Sequence, residues 1–472
     1  MKTPLFAMIT AAALLMSACA VGPDYQRPAT PTFGAYKEAP AADAGWFPAA
    51  PADALDRGAW WQLFNDAELN ALMPRVEVSN QNIAAAVAAY AQAQALVREQ
   101  RASLFPTVGA NAGATRSGGS GSNTGTGNSV QASVSASWAP DLWGALRRTV
   151  ESAQAGAQAS EADLAAARLS AQGLLASDYF GLRDADNELV LVRASVEGYE
   201  RALQITTNRY NAGIAPRTDV LQAQTTLANA RADLASLTAQ RAQLEHAIAV
   251  LVGQPPAEFS LAPSTWSMTV PAVPLGVPSE LLQRRPDIAS SERAVAQANA
   301  QIGIQRSAYF PSLTLSASAG SSASRVADLF GASTNLWSLG LSVAQTIFDA
   351  GATRARVEGA EASRDAAVAR YRQTTLAALG AVEDQLSLVR MLAEQSPLRQ
   401  QASKAADDTE VQTLNRYRAG QVSYLEVASA QSSALSARRA LVQLQVDQQL
   451  AAIGLIQAMG GGWHASWTPP RS

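Results

Sequence analysis

Cys19 is the side chain whose surroundings most clearly predict a covalent modification. It is the only cysteine, so no internal disulfide is possible, and it follows a weakly basic start, an apolar run and two small residues. These features are typical of a secretory signal. Residues 16–19 also resemble the box at which bacterial lipoproteins are cleaved and acylated. We therefore predict a signal peptide over residues 1–18 and lipid attachment at Cys19; an ordinary signal peptide with an incidental cysteine is the alternative.

The residue after Cys19 predicts where such a lipoprotein resides. Ala20 occupies the position at which an aspartate would be expected to retain a lipoprotein at the inner membrane. We therefore expect an outer membrane location, with lipid anchoring and a part of the chain in the periplasm. Acyl chains stabilise membrane association by about 0.8 kcal/mol for each buried CH₂ group.

The other reactive side chains predict no enzyme. His246 and His464 are the only histidines and lie far apart, so we expect no metal site and no cofactor. No pairing of a nucleophile with a base and no glycine-rich nucleotide loop is present in the required context. Charged residues make up 16% of the chain, the net charge is −3 and no basic run occurs, which argues against nucleic acid as a partner.

A long internal duplication organises the chain. Residues 208–224 and 415–431 share an Asn-Arg-Tyr-x-Ala-Gly motif at an offset of 207, and a Phe-Pro pair recurs at an offset of 205. Such a period indicates two copies of one structural unit. The predicted divisions are an anchored N-terminal segment and collar over residues 19–79, repeat 1 over 80–256, a linker over 257–284, repeat 2 over 285–459 and a tail over 460–472.

Each repeat contains two segments that alternate between apolar and small polar residues. Because a period of two indicates strands, we predict strands at about 107–115, 129–138, 312–319 and 337–346, joined in pairs as hairpins. One face of each strand is apolar, the other is small and rich in hydroxyls, and aromatic residues lie near the ends. This pattern suits lipid on one side and water on the other. A soluble β-sandwich with aromatic caps is the alternative.

Long stretches rich in Ala, Gln, Leu, Arg and Glu separate these hairpins and predict long helices at about 145–252 and 352–459. Apolar residues recur at spacings of three and four, as in a coiled coil. We expect the second helix pair to turn back near Pro397. A self-contained helical bundle is the alternative, which the four alternating segments argue against.

The strand number predicts an oligomer. Backbone groups in lipid must all be paired, and four strands cannot close a pore, so several chains must contribute to one barrel. The predicted fold class is an α+β membrane protein. Three chains form a trimeric 12-stranded β-barrel with four strands per chain, continued by a long α-helical periplasmic barrel. The internal duplication is of a strand-strand-helix-helix unit.

Several segments, taken in order, resemble the outer membrane factor family of TolC/OprM-like channels, and within it the NodT-like lipoproteins of tripartite efflux systems. These segments are residues 21–25, Trp60-Trp61 with Phe64 and Asp66, residues 282–288, the two Asn-Arg-Tyr-x-Ala-Gly motifs and residues 459–463. The resemblance implies a passive homotrimeric exit duct in outer membrane lipid, with a periplasmic adaptor protein and an inner-membrane pump of the resistance-nodulation-division (RND) type as partners. Alternatives are the exit duct of a type I protein secretion system and a lipid-anchored coiled coil without a pore.

The resemblance also implies roles for particular residues. Asp407 and Asp408 are expected at the periplasmic constriction, ordinary solvated helix charges being the alternative. Gly213 and Gly420 are expected to break the long helices at the collar, and Arg285, Pro286 and Asp287 to begin a helix there. Geometry rather than the resemblance suggests which residues lie at adaptor-contacting helix tips; the residues expected there are Leu182, Arg183, Asp184, Asp186, Leu398 and Arg399.

Overall fold

A computed structural model describes most of the chain. The described residues are 20–30, 36–38, 57–118, 126–264, 270–271, 285–329, 331 and 334–461. The predicted signal peptide, Cys19, most of the predicted linker and nearly all of the predicted tail lie outside these residues. The chain divides into two compact units: unit 1 comprises Met1–Thr30, Ala88–Glu161 and Ser290–Gln373, and unit 2 comprises Pro31–Val87, Ala162–Ala289 and Thr374–Ser472.

The helices occur in pairs of equal length across the duplication. After α1 (Ala67–Ser79), the pairs are α2 (Gln81–Ala102) with α5 (Pro286–Ser307), α3 (Ala145–Asn211) with α6 (Ala352–Arg418), and α4 (Arg217–Leu251) with α7 (Tyr424–Ala458). Their lengths are 22, 67 and 35 residues. The sequence duplication is therefore a duplication of structure. Among the described helices, none is long and apolar enough to cross a bilayer.

Unit 1 contains a four-stranded antiparallel sheet whose spatial order follows the chain. The strands are β1 (Thr107–Ser117), β2 (Gly127–Trp138), β3 (Ser312–Ala323) and β4 (Asn335–Ala344). Within the described part of the chain, β1 and β4 are edge strands, each paired on one side. Such edges present unpaired backbone N–H and C=O groups to any neighbour.

The N-terminal segment over residues 20–30 packs against the helical part of unit 1. The Val21 N–H donates to the Trp143 carbonyl at 2.9 Å, and Arg148 pairs with Asp24 at 2.7 Å. Gly22 has a φ of 107°, and a Cβ at this position would lie 2.5 Å from a backbone atom of Gly303. Only glycine permits this approach, so the segment after the predicted lipid site has a defined path.

Unit 2 anchors the start of α1 against α3. Asp66 caps α1 by accepting from the Glu68 and Leu69 N–H groups, and it also accepts from the Tyr179 hydroxyl at 2.9 Å. Trp60 is buried and donates to Gln172 at 3.1 Å. The aromatic run at residues 60–64 thus acts as packing, joined by hydrogen bonds to the long helix.

Candidate functional site

The strand register places most apolar positions on one face of the sheet, Leu336 and Ala344 of β4 being exceptions. Val134 lies opposite Ala110 on β1 and Ala319 on β3, and Ala319 in turn lies opposite Trp337 on β4. Because side chains alternate along strands, every second residue joins this face. Trp337 is 77% exposed within the single chain. The result is a wide apolar surface that no described residue of the chain covers.

The opposite face is lined by small and hydroxylated side chains. Ser135 lies opposite Gly109 and Ser318, and Ser318 lies opposite Ser338 with their hydroxyl oxygens 2.8 Å apart. Arg116, near the end of β1, is the only charged residue among the four strands; it lies opposite Asn128 on the face of Ala110, at the loop end of the sheet. The sheet therefore separates an apolar environment from an aqueous one, as the alternating sequence predicts.

Tryptophans mark the helical end of the sheet. Trp138 donates its indole N–H to the Leu104 carbonyl at 3.0 Å, and Trp143 donates to the Pro311 carbonyl at 2.7 Å. Trp143 also stacks on Phe310 at 4.8 Å between ring centroids. Satisfied indoles beside exposed apolar surface are typical of residues at a membrane–water interface.

Two turns reverse the long helices, and a glycine occupies the same place in each. Gly213 and Gly420 have φ values of 73° and 74°, in the left-handed region, and follow α3 and α6 directly. Their N–H groups donate to the carbonyls of Tyr210 and Tyr417 at 2.9 Å. This is a helix-ending arrangement that favours glycine. Both glycines thus break the helices; their predicted place at a collar stays a prediction.

The two turns have different surroundings. Tyr417 is 2% exposed, and its hydroxyl lies 3.1 Å from that of Thr206. Arg209 donates to the Tyr417 carbonyl at 2.7 Å, and its guanidinium lies 4.7 Å from the ring centroid. The matching residue of the first turn, Tyr210, is 41% exposed. Repeat 1 therefore covers Tyr417 of repeat 2. Among the described residues, repeat 2 does not cover Tyr210 of repeat 1 in the same way.

The expected helix tip at residues 182–186 is wrong. α3 continues without interruption to Asn211, and the side chains of Leu182, Arg183, Asp184 and Asp186 are all buried. Arg183 pairs with Glu68 and with Asp186 at 2.9 Å, and it donates to the Ala262 carbonyl at 2.9 Å. Because Arg183 and Asp186 are paired inside unit 2 and Asp184 is buried beside them, these side chains are not available to an adaptor.

The expected turn at Pro397 is also wrong. Pro397 lies within α6, which continues to Arg418, and Leu398 and Arg399 are exposed residues of the same helix. A proline removes one helical hydrogen bond, which a long helix tolerates on an exposed side at the cost of a bend. Leu398 and Arg399 therefore do not lie at a helix end.

Asp407 takes part in an ion pair between the two helices of its own hairpin. Arg438 on α7 donates to Asp407 at 2.7 Å and to Glu410 at 2.7 Å, whereas Asp408 is exposed. Repeat 1 has a matching pair 207 positions earlier, in which Arg231 donates to Glu200 at 2.7 Å. This duplication favours a bracing role, and the constriction role of Asp407 and Asp408 stays a prediction.

Residues 285–287 begin α5. Pro286 is its first residue, where the missing N–H is not required. Arg285 binds Asp287 at 2.7 Å and the Ala458 carbonyl at 2.8 Å, and Asp287 accepts from the Ile288 N–H at 3.0 Å. The three residues therefore tie the start of α5 to the end of α7 in unit 2.

Asp184 is a buried acidic residue whose raised pKa the sequence pattern did not predict. Burial raises the pKa of Asp184 to about 7, with repulsion from Glu188 and Asp447 adding to the rise and Arg439 opposing it. Glu188 is paired with Arg439 at 3.0 Å. The signal was available: Asp184 and Glu188 are four residues apart, which places two acids on one side of a helix.

Comparison with known proteins gives matches over nearly the whole chain. A family model described as outer membrane efflux protein matches residues 72–254 and 277–461. The pyoverdine export outer membrane protein OpmQ of Pseudomonas aeruginosa is 33% identical over 428 residues, covering 88% of this chain and 90% of that protein. The probable efflux pump outer membrane protein TtgC of Pseudomonas putida is 30% identical over 461 residues, covering 96% and 94%.

Solved structures give the same result. The outer-membrane channel OprN superposes with a TM-score of 0.83 at 31% identity, covering 94% of this chain and all of that chain (100%). A crystal structure of CusC, described in terms of transmembrane channel formation, has a TM-score of 0.81 at 27% identity, with coverage of 94% and 100%. Both similarities extend over the sheet and the long helices.

Proposed function

Because this chain belongs to the outer membrane efflux protein family and acts in efflux at the outer membrane, we propose that three copies form one passive exit duct of a tripartite efflux pump. Its β-strands would line a pore through the outer membrane, and its helices would form the periplasmic part. The duct passively passes small molecules or drugs that an inner-membrane transporter delivers, and the transporter supplies the energy. The chain itself carries out no reaction.

The open two-faced sheet carries this proposal. One chain supplies four strands, with an apolar face, a hydroxylated face, and edge strands β1 and β4 that find no partner among the described residues. In lipid, unpaired backbone groups cost several kcal/mol each, so the sheet must close. Three chains of four strands supply twelve, enough to enclose water. The apolar face then meets lipid, and the hydroxylated face lines the pore.

The composition of the inner face suits a duct of low selectivity. Ser135, Ser318 and Ser338 present small hydroxyls, and Gly109 lies beside them. Such side chains leave space and form hydrogen bonds with water without holding one solute strongly. Substrate choice then belongs to the pump, in keeping with relatives named for pyoverdine, toluene and cation efflux.

The partners in this proposal are a periplasmic adaptor and an RND-type inner-membrane pump. The resemblance to tripartite systems and the efflux names of the relatives support them over a type I protein secretion system. We place the adaptor contact at the observed helix turns, residues 212–216 and 419–423. Ile214 and Leu425 project there as exposed apolar side chains, which a partner would cover.

Lipid attachment at Cys19 is the remaining part of the proposal. Cys19 itself lies outside the described residues, but its neighbours support the assignment. The Val21 N–H binds the Trp143 carbonyl, and Ala20 lies against Gly144. An acyl chain starting one residue earlier would begin beside the interfacial tryptophans of the sheet, at the membrane surface.

Two measurements test the duct. Mass determination of the purified protein in detergent should give three copies, and reconstitution in a planar bilayer should give stepwise conductance. A stable monomer, or a trimer without conductance under any applied potential, would contradict the proposal. A mutant in which Cys19 is replaced by Ser separates the anchor from the pore, since it should lose acylation and keep the trimer.

A further inference from the structure

The apolar face of the sheet has a polar boundary at its loop end. Along each strand, the alternating positions that carry apolar side chains are followed there by a polar residue on the same face. These polar residues are Arg116 on β1, Asn128 on β2, Ser321 on β3 and Asn335 on β4. At the other end of the sheet, the same face reaches Trp138. The face that meets lipid is therefore bounded at both ends.

The length of the apolar run places Arg116 at an edge of the bilayer. Val108 and Arg116 share one face of β1 and are eight residues apart, which is about 27 Å along an antiparallel strand. Barrel strands tilt by about 35–45°, so the run crosses about 20 Å of bilayer, close to the apolar band of about 25 Å in outer-membrane barrels. A charge is costly in the middle of this band and tolerated at its edge. Since the helices extend into the periplasm, the loop end lies at the outer leaflet.

The charge of Arg116 has no acidic counterpart in its own hairpin. Residues 107–138 contain this arginine and no Asp or Glu. The second hairpin, residues 312–344, contains Arg325 and Asp328, whose charges balance. The first hairpin therefore brings one uncompensated positive charge to the outer edge of the apolar face, which favours an anion as its partner.

A second donor lies directly across the sheet. Asn128 on β2 is opposite Arg116, and both side chains are exposed. Opposed side chains in an antiparallel pair have Cβ atoms about 4.5–5.5 Å apart. The guanidinium of Arg116 and the amide N–H groups of Asn128 can therefore reach the same anion.

The anion is not a solute inside the duct. Thr115 and Ser117 flank Arg116 along β1 and lie on the opposite, hydroxylated face. A molecule in the pore meets that face, whereas Arg116 and Asn128 lie on the face that meets lipid. The partner is therefore an anionic group that belongs to the membrane.

We propose that Arg116 and Asn128 bind a phosphate group of lipopolysaccharide, the phosphorylated glycolipid of the outer leaflet. The proposal rests on the proposed duct and names the lipid that its outer edge meets. A guanidinium offers a planar fork of N–H donors that matches two oxygens of one phosphate, and the amide of Asn128 adds a further donor. Ala114 and Val130 form the next pair on the same face, where the acyl chains of the bound lipid would lie. A trimer carries three such sites.

Native mass spectrometry of the purified full-length trimer tests the site. The probes are diphosphorylated lipid A (the membrane anchor of lipopolysaccharide), the same lipid without its phosphates, phosphatidylglycerol and inorganic phosphate. Wild type should bind up to three molecules of diphosphorylated lipid A, at least tenfold more tightly than each of the other probes. Arg116→Gln should weaken this binding at least tenfold, and Asn128→Ala should weaken it less.

Arg325→Gln is the matched control. It removes the same charge at the same end of the sheet, but it lies beyond the last residue of β3, Ala323, so it should keep the wild-type affinity for lipid A. Arg116→Lys keeps the charge without the planar fork and should keep part of the affinity. If Arg116→Gln does not assemble, the comparison of Arg116→Lys with Arg325→Gln decides the question.

Three results would overturn the proposal. One is equal affinity for lipid A in wild type and Arg116→Gln, or in Arg116→Lys and Arg325→Gln. The second is equal binding of lipid A and phosphatidylglycerol, which would mean attraction to any anionic lipid. The third is equal binding of inorganic phosphate, which would mean a general anion site. A wild-type trimer that conducts and yet binds no lipid A would lose this site and keep the duct, whereas a monomer without conductance would remove the proposed function itself.

Discussion

The two repeats share one backbone and differ in what surrounds it. Helices α3 and α6 are both 67 residues long. Two residues after the last residue of each helix lies a glycine in the left-handed conformation, with a φ of 73° at Gly213 and 74° at Gly420. Yet Tyr417 is buried and Tyr210 is exposed, and the repeat 1 positions of Asp184 and Glu188 hold Met391 and Gln395 in repeat 2. Local sequence therefore sets the shape of a turn, and neighbouring elements set how much it contributes to stability.

This difference implies a division of roles. Repeat 1 supplies the polar groups Thr206 and Arg209, and repeat 2 supplies the tyrosine, Tyr417, that they cover. The turn of repeat 1 therefore contributes less to the stability of a single chain than the turn of repeat 2.

Removing the buried aromatic ring of Tyr417 should have the largest effect on stability. Tyr417→Ala creates a cavity among Ala202, Ala223 and Val427, and should lower the free energy of unfolding by about 3–5 kcal/mol. Hydrogen exchange of the amides around residues 419–423 should accelerate accordingly. Tyr210→Ala in the same assay should have a much smaller effect, because that ring is 41% exposed. Equal acceleration at both turns within a chain would break the comparison.

Titration of Asp184 should have the next largest effect. Its folded pKa of about 7 exceeds the ordinary value near 4, so the folded protein binds the proton more tightly than the unfolded chain. The free energy of unfolding therefore falls as pH rises from about 4 to about 7. At about 1.4 kcal/mol for each pKa unit, the loss amounts to as much as about 4 kcal/mol.

Two variants isolate this titration from that of other carboxyls. Asp184→Asn keeps the size of the side chain and should remove the part of the fall that comes from Asp184; a smaller part remains because burial also raises the pKa of Asp178, to about 6. Asp184→Met introduces the residue that repeat 2 carries at this position. Thermal unfolding of wild type and both variants between pH 4 and pH 8 makes the measurement. If the difference in stability between the wild type and Asp184→Asn stays constant from pH 4 to pH 8, Asp184 does not titrate as described.

The sequence predicted the sheet better than the helix turns, for a physical reason. Strand alternation reports directly which face meets lipid, so the positions of Val134, Ser135 and their neighbours followed from pattern alone. Geometry alone predicts helix tips near Leu182 and Pro397, whereas one continuous helix runs through each of them. Long-range partners, such as Glu68 for Arg183, decide that such residues belong inside it, and sequence alone does not show them.

The correct turn signals were nevertheless present in the sequence. Gly213 is followed by Pro216, a combination that ends one helix and begins another, and Gly420 is followed by Ser423, which caps α7 together with Glu426. Their place at a collar is what the resemblance predicts, and it stays a prediction. A left-handed glycine is a stronger stop than an exposed proline in a helix of this length.

Substituting these glycines should have an effect of intermediate size on stability and tests whether the two turns share one backbone conformation. Gly213→Ala and Gly420→Ala each force a Cβ into a left-handed backbone, which costs about 1–2 kcal/mol. The cost should be equal at the two turns, because a Cβ at Gly213 meets nothing within 4 Å and one at Gly420 meets only the Arg209 guanidinium at 3.8 Å. Thermal unfolding measures it, and Asn at either position should restore part of the loss. Unequal costs would show that the turns differ in backbone as well as in surroundings.

The smallest effect is expected at the paired ion bridges. Arg438→Ala and Arg231→Ala each remove a partly exposed pair and should lower stability by less than about 1 kcal/mol, the former slightly more because Arg438 holds two carboxylates. Raising the salt concentration should reduce both effects. Single-channel recording of Asp407→Ala then separates bracing from gating. If Asp407 only braces the hairpin, the conductance and cation preference of the Asp407→Ala channel match those of the Glu200→Ala channel. A change confined to Asp407→Ala means that the charge of Asp407 faces the pore and that the two repeats have diverged in function at this position.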